Sequence, residues 1–323
     1  NMGMHYTSVP NIMKVIEPLF LDELYLEFEK AYENKSKLQM LLNRLAKIKI
    51  FDPACGSGNF LIIAYKKLRQ LEMSIMQRID SLSKEKTFQF SEIKLTQFYG
   101  IELDDFAHEV AILSLWLAEH QMNLEFYKAF GRTSPSLPLQ NGGNIVHGNA
   151  TRLNWEEICP KNDGDEIYIL GNPPYLGYSD RDIIQKEDMS FVFDNNSNIQ
   201  RLDYIGCWFR KATDYISKLN VSKYAFVSTN SISQGEQVSL LFPYIFEKDQ
   251  EIKFAYQSFN WTNNAKNKAG VTVVIIGVGN ISQHKKYIYA QNIKYEVKNI
   301  SPYLIEGSNT IMTQRKTSIS NFP

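Results

Sequence analysis

Residues 48–60 read Ile48-Lys49-Ile50-Phe51-Asp52-Pro53-Ala54-Cys55-Gly56-Ser57-Gly58-Asn59-Phe60. The stretch runs from an apolar segment through an acid and a two-glycine turn to the start of a helix. The apolar run reads as a buried strand ending at Asp52, with a helix from about Phe60 onward. Gly56 and Gly58 let the backbone approach a ligand without Cβ interference. The acid at the strand end suits a cationic or hydroxylated ligand group. Two familiar phosphate-binding patterns are excluded. Leu61 stands where the dinucleotide fingerprint Gly-x-Gly-x-x-Gly has its third glycine. No Gly-Lys-Ser/Thr follows, as a P-loop requires.

Working outward, 11–46 is helical: Ile12, Val15, Ile16, Leu19 and Phe20 keep a 3–4 spacing, as do Leu24, Phe28, Leu38, Leu41, Leu42 and Leu45. Pro18 is expected to interrupt the first helix. A long helix follows the glycine turn, then a polar loop over 80–94. A strand at 97–102 ends at Glu102, and a helix covers 105–120. After a Gly/Pro/Ser-rich loop at 131–144 come short strand 144–147 and Gly148-Asn149. Further strands are expected at 166–170, 224–228, 251–258 and 271–278, and helices at 202–218 and 236–247. Residues 176–200, with Asp194-Asn195-Asn196-Ser197-Asn198, read as a mobile loop. Strands alternating with helices predict an α/β fold: a doubly wound, mostly parallel sheet with late antiparallel strands. The expected organisation is an N-terminal helical segment at 1–46, a core at 47–280 and a C-terminal extension at 281–323. Ligands of such sheets bind outside the carboxyl ends of the strands. Asp52, Glu102, Asn149, Asn172 and Asn230 all fall at such ends.

The strand at 166–170 leads into Gly171-Asn172-Pro173-Pro174-Tyr175. Each proline fixes its own φ and removes an N–H, and a residue before proline is pushed out of the helical region. The Asn172 amide oxygen and the Pro173 carbonyl are therefore acceptors on a stiff loop, with a tyrosine ring beside them. Two acceptors and a flat ring suit a planar NH2 group.

Together these stretches resemble the amino-methylating, S-adenosylmethionine-dependent DNA methyltransferases. The segment at 52–60 is similar to their motif I, Asn172-Pro173-Pro174-Tyr175 to motif IV, and Gly3-Met4-His5-Tyr6-Thr7-Ser8 to motif X. The order X, I, IV resembles the gamma class, and within it the methyltransferase segment of single-chain restriction–modification proteins of types IIG and IIL. The likeness covers roughly residues 3–280 and implies a Rossmann-like methyltransferase sheet. It implies that Asp52, Pro53, Ala54, Gly56, Gly58 and Phe60 line the cofactor's amino-acid end, and that Glu102 with Leu103 receives the ribose. Glu102 lies more than twice the ~20 residues beyond the glycine turn that dinucleotide folds use. Glu72 has the expected distance but falls inside a helix, where it reads as a solvated residue. Asn149 and Ala150 would flank the adenine; many relatives carry Asp where this chain has Asn149. Tyr6 and Thr7 would lie near the methionine moiety, the plainer alternative being that they cap the first helix.

On the acceptor side, the resemblance implies that Asn172 and Pro173 hold the exocyclic N6 of an adenine flipped out of double-stranded DNA, with Tyr175 stacking on the base. Ser258-Phe259-Asn260-Trp261 resembles motif VIII, so Phe259 and Trp261 are candidates for the opposite wall; ordinary core at a strand end is the alternative. The loop 263–268 is a candidate phosphate contact or a plain solvated loop. The donor is S-adenosylmethionine, leaving S-adenosylhomocysteine. Expected partners are DNA and the target-recognition region of one parent polypeptide, with a nuclease region as a further candidate. The setting implied is the bacterial cytoplasm at the nucleoid.

Composition is compatible with this reading without arguing for it. Lys plus Arg and Asp plus Glu each number 35, so there is no basic excess to advertise nucleic-acid binding. No run approaches the ~20 apolar residues of a membrane span. Cys55, Cys159 and Cys207 are scattered, against a disulfide framework or zinc site, and the five histidines show no ligand spacing. Asn-Pro-Pro-Tyr also occurs in glutamine-N5 protein methyltransferases, and RNA-guanine and cytosine-N4 methylation pose the same chemical problem. Glutamine-N5 and cytosine-N4 methylation stay as the alternatives at the level of sequence; the stretch 3–8 ahead of 52–60 argues against the glutamine and RNA-guanine readings, and intact Asp52, Asn172 and Pro173 argue against a catalytically dead scaffold.

Overall fold

In the computed structural model, which describes residues 7–83, 90–132, 143–217, 222–261 and 271–312, the run at 48–52 forms β1 (Ile48–Asp52), buried along its whole length. Eight further strands follow: β2 (Phe98–Glu102), β3 (Asn144–His147), β4 (Glu166–Gly171), β5 (Ser222–Thr229), β6 (Gln250–Trp261), β7 (Val271–Asn280), β8 (Lys286–Ala290) and β9 (Ile293–Val297). They build one sheet in the order β3-β2-β1-β4-β5-β7-β6-β8-β9. The strands from β3 to β5 pair in parallel; β7 runs antiparallel to both β5 and β6. The sheet does not stop at residue 280: β8 joins β6 in parallel and β9 closes the edge.

The central strands are apolar on both faces, as a parallel sheet covered twice requires. Ile48, Ile50, Tyr168 and Leu170 point to one face, where they pack with α1 (Val9–Ile16), α2 (Asp22–Ala31), α3 (Lys35–Leu45), α4 (Asn59–Leu82) and α5 (Asp105–Phe130). Phe51, Ile167 and Ile169 point to the other, beneath α6 (Trp155–Ile158), α7 (Ile183–Val192), α8 (Gly206–Ile216) and α9 (Gly235–Phe246). Helix α4 starts without a side-chain cap. Burial holds it instead: Leu61, Leu71 and Ile75 are fully enclosed, each contributing about 1.5–3 kcal/mol.

At the amino ends of the strands, away from the glycine turn, Arg44 on α3 grips Glu166 at 2.6 Å and Glu23 at 2.7 Å, and Lys223 reaches Glu23 at 2.9 Å. Burial pushes the Glu23 carboxyl up, but the two cations outweigh it and hold it down at about 2. This node ties the N-terminal helices to β4 and β5.

Pro18 does interrupt the first α-helix, by widening one turn. A π-helical turn at Glu17–Leu21, in which the Asp22 N–H reaches the Glu17 carbonyl, carries α1 into α2. The wider turn accommodates a residue that has no N–H to give. Three other expectations need correction. Helix α5 runs to Phe130, ten residues past its expected end, and stops at Gly131 in the left-handed region. Glu72 is not solvated. It is 1% exposed and accepts from Ser91 and the Glu92 N–H at 2.6 and 2.8 Å. Residues 176–200 are not a plain loop: they contain a 3-10 turn at Tyr178–Asp180 and α7, whose start is a reciprocal Asp182–Gln185 capping box.

Candidate active site

Strand β1 pairs with β2 on one side and β4 on the other, so the chain direction across the sheet reverses there. Such a switch point opens a crevice at the carboxyl ends. Asp52 ends β1 inside it, fully buried. Its Oδ1 accepts the Ala54 N–H at 3.1 Å, while Oδ2 has no partner among the described residues. Burial pushes this carboxyl up to about 8; the Ala54 bond pulls the other way and the neighbouring Glu102 charge adds to the rise. On the adjacent strand, Asn172 follows the last residue of β4, and its Oδ1 is also buried without a partner. The Ser228 hydroxyl near the end of β5 is a further one of the ten such atoms among the described residues. An unpaired buried polar atom costs about 1–3 kcal/mol. Three of the ten lie at one end of three neighbouring strands, which makes that end a candidate seat for the polar groups of a ligand.

The two loops meet at Gly171. Its φ is +151°, and a Cβ there would stand 2.5 Å from Asp52 Oδ1. Only glycine lets the end of β4 pass the Asp52 carboxyl so closely. Nothing in the sequence flagged this residue, since its reason lies on another strand.

The two glycines of the 52–58 turn do different jobs. Gly58 (φ +83°) starts α4, and a Cβ on it would touch Ala111 of α5 at 3.4 Å. It serves helix packing. Gly56 (φ +53°) has nothing within 4 Å of a notional Cβ, so its surface faces open space beside Asp52. The turn is held by Cys55 N–H to the Ile101 carbonyl (3.0 Å), by Gly56 N–H to Glu102 Oε2 (2.7 Å), and by Trp208 Nε1–H to the Pro53 carbonyl (3.0 Å). Pro53 and Phe60 are buried, Ala54 is half-buried, and the Cys55 thiol is buried and pushed well up by its enclosure. Glu102 also accepts the Asp104 N–H at 2.8 Å. Both its oxygens are engaged once, which leaves lone pairs for a diol. Leu103 beside it is exposed. Sequence reasoning missed Trp208, whose role depends on α8 lying under the turn.

Asn149 does not offer a free acceptor. Its Oδ1 takes the Thr151 N–H (2.9 Å) and hydroxyl (2.7 Å), and its amide NH2 donates to Asp188 Oδ2 at 2.9 Å. Ala150 is buried behind it.

On the acceptor side, Pro173 is buried, Pro174 exposed and Tyr175 half-buried. Tyr175 packs against the core of the second face, and burial raises its hydroxyl. Leu176 N–H donates to Asp203 Oδ1 at 3.0 Å, and Tyr204 N–H to the Leu176 carbonyl at 3.1 Å. Phe259 and Trp261 lie within β6, their ring centroids 6.0 Å apart, packed into the core of the first face with Lys14 over Phe259. Neither makes a ring contact with Tyr175 among the described residues. Thr7 is buried just before α1, which starts without a side-chain cap. Tyr6 and the loop 263–268 lie outside the described residues. Among the described residues, Asp105, His108 and Glu109 place donor atoms within 4.8 Å of one another at the surface start of α5; exposed groups of this kind are common without an ion. No helix among them is long and apolar enough to cross a membrane.

Comparison with known proteins bears on the same region. The model of the family "MmeI, DNA-methyltransferase domain" matches residues 28–290. DNA methyltransferase A of Bacillus subtilis (strain 168) is 51% identical over 324 residues, which is 100% of this chain and 37% of that protein. The type II restriction enzyme and methyltransferase RM.Eco57I of Escherichia coli is 28% identical over 163 residues, 45% of this chain and 16% of that protein. The structure of the type IIL restriction–modification enzyme MmeI in complex with DNA superposes with a TM-score of 0.90 at 40% identity, covering 100% of this chain and 44% of that one. The DNA-bound type ISP enzyme LlaBIII, at 15% identity and TM-score 0.52, shares the fold. The chain spans less than half the length of each of these relatives. A family match over most of the chain, together with the strand order and the site at the β1/β4 crevice, places the protein: it belongs to the MmeI DNA-methyltransferase domain family.

Proposed function

We propose that this chain transfers a methyl group from S-adenosylmethionine to the exocyclic N6 of an adenine flipped out of duplex DNA, as the modification activity of a restriction–modification protein in the bacterial cytoplasm. One observation carries the reading. Two buried acceptor atoms without partners among the described residues, Asp52 Oδ2 and Asn172 Oδ1, stand at the carboxyl ends of adjacent strands whose loops touch at Gly171.

The residues fit the cofactor. Asp52 Oδ2 suits its ammonium, the open surface of Gly56 its amino-acid backbone, and the spare lone pairs of Glu102 its ribose diol. When bound, S-adenosylmethionine supplies an electrophilic methyl on a sulfonium sulfur. The rest falls to the chain. The amino nitrogen of adenine is a poor nucleophile because its lone pair is delocalised into the ring. Asn172 Oδ1 and the Pro173 carbonyl accept its two hydrogens and turn the lone pair toward the methyl. Positive charge grows on the nitrogen as the bond forms, so both acceptors bind the transition state more strongly than the ground state. The N–CH3 bond would form as the S–CH3 bond breaks, with S-adenosylhomocysteine as the leaving group, and one N–H proton of the cationic product would then pass to water; no general base is assigned. Flipping the base costs a few kcal/mol; stacking on Tyr175 returns about 1–3 kcal/mol.

The test is Asn172→Ala in the longer parent protein, with methylated nucleosides measured by mass spectrometry. Cofactor binding should persist while N6-methyladenine formation falls about 100- to 1,000-fold. Methylation at the parental rate would remove Asn172 from the chemistry, and N4-methylcytosine as the product would replace the substrate assignment.

A further inference from the structure

Asn149 sits where the resemblance implies contact with the cofactor's adenine, yet its side chain is spent inside the protein. The partner that fixes it is Asp188 on α7. This carboxylate is 1% exposed and accepts three hydrogen bonds from two separate stretches of chain. Asn149 Nδ2 donates to Oδ2 at 2.9 Å, the Tyr204 hydroxyl to Oδ2 at 2.7 Å, and Arg152 Nε to Oδ1 at 2.5 Å. The amide orientation follows from these partners. Turned over, Asn149 would set its oxygen against a carboxylate and its NH2 against the Thr151 N–H. Burial pushes the Asp188 carboxyl up, but the bonds from Asn149, Tyr204 and Arg152 outweigh it and hold it below the ordinary carboxylate range.

The chain of bonds does not end there. Tyr204, held to Asp188 through its hydroxyl, gives its backbone N–H to the Leu176 carbonyl, and Asp203 beside it takes the Leu176 N–H. Leu176 directly follows Asn172-Pro173-Pro174-Tyr175. Asp188 is thus the junction of one continuous path from the loop at 149–152 to the acceptor loop at 172–176. We propose that Asp188 is a positioning residue that couples these two loops, so that the seat of the cofactor's adenosine end and the seat of the target amine keep one fixed spacing. The inference rests on the methyltransferase reading for what occupies the two seats, but the coupling itself is a property of the chain.

The experiment compares Asp188→Asn with the reversed pair Asn149→Asp/Asp188→Asn. The single variant sets two amides against each other and leaves Arg152 and Tyr204 without a carboxylate. In the double variant, a carboxylate at 149 accepts from Thr151 and from the new amide at 188, whose second N–H goes to the Tyr204 hydroxyl, now the acceptor, and whose oxygen still faces Arg152. Two readouts are taken: S-adenosylmethionine affinity by calorimetry, and hydrogen exchange of peptides covering 147–153 and 172–178 without ligand. Asp188→Asn should bind about tenfold more weakly and exchange faster in both peptides. The double variant should recover parental exchange and come within about threefold of parental affinity. Tyr204→Phe, which removes one hydroxyl from the middle of the path, should speed exchange at 172–178 and guards against a single variant that fails to fold. Unchanged exchange at 172–178 in both Asp188→Asn and Tyr204→Phe, or a double variant as loose as the single one, overturns the coupling. A parental chain that binds no S-adenosylmethionine overturns the methyltransferase reading instead, and the exchange results still decide the coupling.

Discussion

Titration of Asp52 should be visible in ligand binding. Enclosure pushes this carboxyl up to about 8, so at pH 7 about ten protonated carboxyls stand for each ionised one. A ligand ammonium placed against Oδ2 needs the ionised form, so binding must expel a proton. If the bound state holds Asp52 ionised, affinity should rise about tenfold per pH unit at first and roughly 25-fold between pH 6 and 7.5. The assay is calorimetry with S-adenosylhomocysteine, whose ammonium stays charged in that window, in buffers of different ionisation enthalpy; release near one proton per ligand at pH 6.5 is expected. The unliganded fold should respond with the opposite sign. The unfolded acid ionises near 3.8 and the folded one near 8, so the folded chain holds the proton longer. This group therefore takes stability away as pH rises from about 4 to 8. Asp52→Asn keeps the shape without the charge. It should abolish proton release, weaken binding at pH 7.5 and flatten that part of the stability profile. Affinity independent of pH from 6 to 7.5, with no proton released by the parental chain, would refute the placement of a cation at Asp52.

Three further substitutions probe the frame of the site. Gly171→Ala puts a methyl against the Asp52 carboxyl; it should destabilise by about 1–3 kcal/mol in urea denaturation and weaken cofactor binding, and a variant matching the parent in both would show that the two loops part easily. Trp208→Phe removes the donor to the Pro53 carbonyl and should cost about 0.5–1.5 kcal/mol with a several-fold rise in cofactor Kd, a binding change that calorimetry would detect or deny. Arg44→Met leaves the buried Glu166 without a cation at the far ends of the strands, while Glu23 keeps Lys223; a loss of about 3 kcal/mol with unchanged cofactor affinity is expected, and weakened binding would mean that the two ends of the sheet are not independent.

Strands and the main turn were legible because their signals are local. Ile48-Lys49-Ile50-Phe51 and Ile167-Tyr168-Ile169-Leu170 are short apolar runs with abrupt ends, and periodicity plus punctuation by glycine and proline suffices for such elements. The helix at 183–192 was not legible. Its apolar residues Ile183, Ile184 and Phe191 are exposed, with only Asp188 and Met189 buried, so the amphipathic pattern that marks a packed helix is absent. Glu72 misled for the converse reason: a charged residue at a helical position looks solvated until the chain at 91–93 folds back to bond it.

By itself, the order of residues determined which groups arrive at the carboxyl ends of the strands: an acid at 52, an amide and a stiffened carbonyl at 172 and 173, and an acid at 102. Those positions follow from strand length and turn chemistry, which neighbouring residues set. Tertiary structure alone decided which of those groups stay free. Asn149 was claimed by Thr151 and Asp188, whereas Asp52 Oδ2 and Asn172 Oδ1 were left buried and unclaimed among the described residues. Hydrogen-bond partners come from whatever chain the fold brings within about 3 Å, and that proximity is written in the packing of elements far apart in sequence.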